Sequence, residues 1–235
     1  MQTQPSIHPV TLARYVGWSI LGTIVVGMAT AFFVAKGIDI NMTADVEATA
    51  RNMLEAETRL KAKAYLALLG FGLELMISLG LFLLLEKHGR LLASWSALVG
   101  IGASLIIAMG AVYTMNASEL AGDAAYRVLT DESQQRMLAG LQATSAYTSF
   151  HLGLVLASLA KAGFFYLFLI SRRMPRIISG WGLFASLLVA FMIVARDFIP
   201  QLANNTLTVA FIAANFIALL TTGLYLGTVG VRRGR

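Results

Sequence analysis

Apolar residues in this chain gather into six long runs, at 16–35, 64–85, 91–115, 150–170, 177–195 and 208–231, with polar connections between them. Each run approaches the length of about 20 residues that a helix needs to cross a hydrocarbon core of roughly 30 Å. The pattern predicts an all-α polytopic membrane protein, a six-transmembrane-helix bundle forming a single membrane domain over residues 1–235.

The connections differ in kind. Two are long, and each is expected to carry a helix outside the membrane, around 44–63 and 131–147. In the first, Thr43 is placed to cap, with Asp45 and Glu47 in the opening turn. Glu47–Arg51, Arg51–Glu55, Glu55–Arg59 and Glu57–Lys61 are spaced i,i+4, which supports a solvated helix. Val46, Ala50, Met53, Leu54 and Leu60 give it one apolar edge, suited either to a partner or to the bundle itself. This helix is predicted to run straight into the second span. In the second connection Thr130 is expected to cap a segment that feeds directly into the fourth span.

The remaining connections are short. Residues 86–90 and 171–176 form tight basic turns, the second with Pro175 ending the preceding helix. Residues 1–13 read as a polar, surface or frayed start. Ala29-Thr30-Ala31 resembles a signal-peptidase site, but the apolar run continues through Phe32, Phe33 and Val34, so a retained signal-anchor is expected. In the third run Ser96, Gly100, Ser104 and Ala108 recur at every fourth residue, a stripe that packs helices closely or lines a pore.

Composition sharpens the class. Hydrophobic residues make up 57% and charged residues 13%, with mean hydropathy +0.73. Soluble domains carry about 25% charge. The absence of cysteine removes disulfides, thiolate metal sites and cysteine nucleophiles. Three histidines, one of them in an apolar run, are too few for paired-histidine haem or a histidine-rich di-iron site. No cofactor is therefore expected. The net charge of +6 is read as basic membrane-flanking loops rather than nucleic-acid binding.

The distribution of charge predicts an orientation. One side holds Arg14, Lys87, Arg90, Arg172, Arg173, Arg176, Arg232, Arg233 and Arg235 against the single acid Glu86. The other side carries eight basic residues and ten acidic ones. Because the basic turns are very short, where the bias is strongest, both termini are expected on the cytoplasmic side of the membrane.

Two ionisable groups interrupt the runs near their centres, Glu74 in the second and Lys161 in the fourth. Each costs at least about 2.5–3.5 kcal/mol at that depth, so they are expected to pair. Such a buried ion pair either fixes helix register or marks a functional site. Tyr65, Phe71, Tyr147, Phe150, His151 and Tyr166 are candidate walls of an outward-opening pocket above it, although aromatics at helix ends also serve as interface anchors. Asn215 in the sixth run is read as an interhelical hydrogen-bonder at the edge of this group. No catalytic or metal-binding constellation is legible. An intramembrane serine protease lacks its serine motif, a paired-aspartate protease lacks its aspartates, and six spans argue against a retinal Schiff base on Lys161.

Two stretches carry a resemblance. Asp45, Ala48-Thr49-Ala50, Asn52, Leu54, Glu57 and Lys61 form the first, and Tyr166, Ser171 and Pro175-Arg176 with a glycine soon after form the second. They resemble a bacterial six-span membrane family catalogued as a domain of unknown function, number four-three-eight-six. The resemblance implies a six-helix bundle over nearly the whole chain, with an acidic residue often standing where Glu74 stands, and it implies no activity. The reading that results is a non-catalytic membrane protein. It is expected to bind a lipid, a hydrophobic molecule or another membrane subunit around Glu74–Lys161. The alternative is a small secondary transporter or channel using Glu74.

Overall fold

A computed structural model describes residues 8–40, 45–122 and 129–232. Within them are seven α-helices and no strand: α1 (Pro9–Ala29), α2 (Val46–Leu54), α3 (Glu57–Leu85), α4 (Arg90–Gly122), α5 (Glu132–Ser171), α6 (Arg176–Phe198) and α7 (Asn205–Thr228). Six helical stretches are long and apolar enough to span a membrane, all but α2 contributing one. The chain is an all-α, multi-pass membrane protein.

Several helices outrun the apolar runs that predict them. α1 starts at Pro9, a residue suited to the first turn because its missing N–H would be unpaired there anyway. Ala13 is buried within α1, so the expectation of a frayed start is corrected for residues 9–13, and its remainder, at residues 1–7, lies outside the described residues. The first span closes through a π-helical turn, Thr30–Val34. α5 is 40 residues long because the polar segment after Asp131 continues without a break into the apolar one.

Three local expectations are corrected. First, the predicted helix at 44–63 is two helices. α2 ends at Leu54, Glu55 and Ala56 turn, and α3 begins at Glu57. Of the four i,i+4 pairs only Glu57–Lys61 closes among the described residues, at 2.5 Å; the break disrupts the spacing of Arg51–Glu55 and Glu55–Arg59, while Glu47 and Arg51 share α2 without pairing. Arg59 instead donates to the carbonyls of Val34 and Lys36. Second, the caps are aspartates. Asp45 accepts from the Ala48 amide at 2.9 Å and Asp131 from that of Gln134 at 2.8 Å. Asp131 thus takes the place expected of Thr130, while Thr43 lies outside the described residues. Third, α5 ends at Ser171, before Pro175. Arg172 adopts φ 55°, and Pro175 precedes the first turn of α6.

Cα packing divides the chain into two compact units. The first comprises 1–24, 73–103 and 154–235. Its core runs through Val16, Ile20, Ile77, Leu81, Phe164, Phe165, Phe168 and Leu226. Small residues bring its backbones together. A Cβ on Gly17 would lie 2.1 Å from the Gly227 nitrogen, and one on Gly163 would lie 2.1 Å from Ser96 Oγ. Gly100 faces Ser78 of α3 and Ala160 of α5, so this part of the predicted stripe serves helix packing.

The second unit comprises 25–72 and 104–153. Ile38, Met53, Ala56, Leu60, Ala117, Ala121 and Ala143 form its core. Of the predicted apolar edge, Ala50, Met53 and Leu60 are buried while Val46 is exposed. Lys63 and Asp39 form an ion pair at 2.7 Å within this unit.

Candidate functional site

The site is built in the first unit, on helical periodicity. On α3, Glu74, Ile77 and Leu81 occupy positions i, i+3 and i+7. On α5, Lys161, Phe164, Phe165 and Phe168 occupy i, i+3, i+4 and i+7. Each set forms one stripe on its helix. The two stripes, with Ile20 and Thr23 of α1 and Leu219 and Thr222 of α7, line a cavity of about 30 Å³. That volume has room for one or two water molecules.

Lys161 Nζ lies 3.8 Å from Glu74 Oε1. The separation is within ion-pair range but too long for a direct hydrogen bond. Among the described residues neither group makes a hydrogen bond to any other side chain or carbonyl. The pair is also only partly enclosed, the side chains of Lys161 and Glu74 retaining 21% and 29% of their exposure. The expectation of a buried pair is corrected to that extent. Of the two threonines lining the cavity, Thr23 donates its hydroxyl to the Ile20 carbonyl at 2.8 Å. Thr222 Oγ1 is enclosed and unpartnered among the described residues.

None of the six aromatic or histidine residues expected as walls lines this cavity. Tyr65, Tyr147, Phe150 and His151 stand nine or more residues along their helices from the charged groups. Tyr166 follows Lys161 by five residues, which turns it to another face, and it is exposed. Phe71 is half-buried. Tyr147 and His151 instead stack on each other, one turn apart, with ring centroids 5.6 Å apart. Asn215 is half-buried and makes no hydrogen bond among the described residues. The walls that do exist were readable by stepping i+3, i+4 and i+7 from Lys161. Weighting aromatics by type rather than by helical face hides them.

No group of three or more histidines, aspartates or glutamates among the described residues could hold a metal ion. The arrangement offers an ammonium and a carboxylate in apolar walls, able to pair with each other or with an incoming polar group.

A family model matches residues 15–230, and its description reads "Domain of unknown function (DUF4386)". The chain belongs to this family. The match takes in all six spans and both Glu74 and Lys161, in agreement with the resemblance read from the two short motifs. No curated protein and no solved structure matches the chain.

Proposed function

We propose that this is a non-catalytic integral membrane protein whose Glu74–Lys161 pair is a contact point for another membrane subunit at mid-membrane depth. The observation that carries the reading is the incompleteness of the pair. Two opposite charges near the centres of their spans stand 3.8 Å apart, lack other hydrogen-bond partners among the described residues, and remain partly exposed. Charges left in that condition against lipid are costly, and a polar group from a neighbouring helix would satisfy both.

Cavity size favours a subunit over an enclosed ligand. Small-molecule sites commonly run to about 300–1,000 Å³, whereas the cavity beside the pair has about 30 Å³. A lipid or hydrophobic molecule would not fit inside it. The transport reading gains no support from helix geometry, because α3 and α5 pass the two charges as continuous helices rather than as the broken helices common at transporter sites. We further read the chain as a bacterial inner-membrane protein with both termini cytoplasmic, supported by the density of arginine and lysine in the short turns.

The test is native mass spectrometry of the full chain extracted from its own membrane in a mild detergent. A protein adduct of defined mass is expected on the native chain and absent from Glu74→Gln/Lys161→Met, which keeps the helical content. An adduct unaffected by the double substitution, or proteoliposomes showing Glu74-dependent proton or solute flux, would replace this reading.

A further inference from the structure

The short turns and the final span of the first unit meet at one end, and what joins them is a single arginine. After α5 stops at Ser171, Arg172 takes φ 55°, the left-handed conformation that commonly follows a helix. Arg173 then donates from Nη1 to the Leu84 carbonyl near the end of α3, at 2.9 Å. Its own carbonyl accepts from the Arg232 amide, also at 2.9 Å. Arg14, near the start of α1, donates from Nη2 to the Thr228 carbonyl that closes α7, at 3.4 Å.

These bonds gather Arg14, Lys87, Arg90, Arg172, Arg173, Arg176 and Arg232 at the ends of the spans. Among the described residues of these segments, Glu86 is the one acid. All seven cations except Arg173 are exposed. Arg173 Nε and His88 Nε2 are enclosed and have no partner among the described residues. Charge of one sign, on long side chains at the ends of apolar spans, stands at the depth of lipid headgroups.

We propose that this end of the unit is a binding platform for anionic glycerophospholipid headgroups. A phosphodiester with net negative charge is the complement that the bilayer itself supplies there. Clusters of four to eight lysines and arginines flanking a span bind anionic lipid through additive contributions from each charge. Several such contributions together amount to a preference of at least about tenfold over a zwitterionic lipid. The inference does not depend on the Glu74–Lys161 reading, since it uses other residues at another depth.

The experiment is native mass spectrometry of the delipidated full chain, offered equal amounts of phosphatidylglycerol and phosphatidylcholine with matched acyl chains. The native chain should retain phosphatidylglycerol with a preference of about tenfold or more, falling as ionic strength rises. Lys87→Gln/Arg90→Gln/Arg172→Asn/Arg176→Gln should bring the preference close to parity. Asparagine is used at Arg172 because it tolerates the left-handed conformation. The control Arg51→Gln/Lys61→Gln, which removes two charges elsewhere, should leave it unchanged. Should the fourfold variant lose helicity by circular dichroism, its two halves, Lys87→Gln/Arg90→Gln and Arg172→Asn/Arg176→Gln, carry the comparison, each losing part of the preference. Equal binding of the two lipids by the native chain, or undiminished preference in the variants, would overturn the proposal.

Discussion

Glu74 and Lys161 can each be stabilised by the other, so removing one leaves its partner stranded. Glu74→Gln or Lys161→Met alone should destabilise the solubilised protein by on the order of 3 kcal/mol, near the lower end for buried pairs because both side chains keep some exposure. The double substitution should recover much of that loss in thermal unfolding. Simple additivity of the two single effects would show that the residues do not interact. Asp131 offers a second test. Hydrogen bonds from the Ser133 hydroxyl and the Gln134 amide hold its carboxyl below the ordinary carboxylate range. A depressed folded value means that the cap is fully effective above the ordinary carboxylate pKa and is lost as pH falls through the lowered one. Protection of the Gln134 amide from hydrogen exchange, measured relative to Asp131→Asn, should therefore decline only in acid. A pH-independent ratio would contradict the assignment. At this scale the charged residues themselves were legible, because an ionisable group in an apolar run stands out. The walls were legible only by stepping along the helix from Lys161, since a residue's face depends on phase along the helix as much as on its type.

Helices in this chain are placed by glycine as much as by apolar bulk. Gly17 lies against the Gly227 backbone, where any Cβ would collide. Gly17→Leu should accordingly cost about 1–3 kcal/mol through overpacking. Gly27 meets nothing within 4 Å, so Gly27→Ala should be neutral or stabilising by up to about 1 kcal/mol from helix propensity. The melting temperature should fall for Gly17→Leu and hold or rise for Gly27→Ala, and a common fall would contradict the assigned contact. Element existence was legible from the apolar runs, which fix the number of spans. The break at Glu55–Ala56 was not. Most residues nearby are good helix formers, and the turn is accompanied instead by tertiary contacts such as Arg59 with the Val34 carbonyl and Asn52 with the Gly37 carbonyl. Helix ends were also misjudged, because polar segments with good helix formers simply prolong a span.

On the scale of the whole molecule, length and hydropathy carry most of the information. The backbone cannot cross hydrocarbon except with its hydrogen bonds closed, so runs of this length become helices whatever else they contain. Orientation can be checked directly, since the chain has no cysteine of its own. In intact cells a cysteine in place of exposed Lys87 should resist a membrane-impermeant thiol reagent, and one in place of exposed Glu55 should react. The reverse labelling would invert the topology. The proposal that another subunit docks at Glu74–Lys161 is tested most directly inside the membrane. A photo-crosslinking amino acid at Leu219, which lines the cavity beside the pair, should give a discrete protein–protein adduct in the native chain. The same probe in Glu74→Gln/Lys161→Met should lose that adduct while the protein stays folded. Adducts to lipid alone, or a protein adduct that survives the double substitution, would contradict the account.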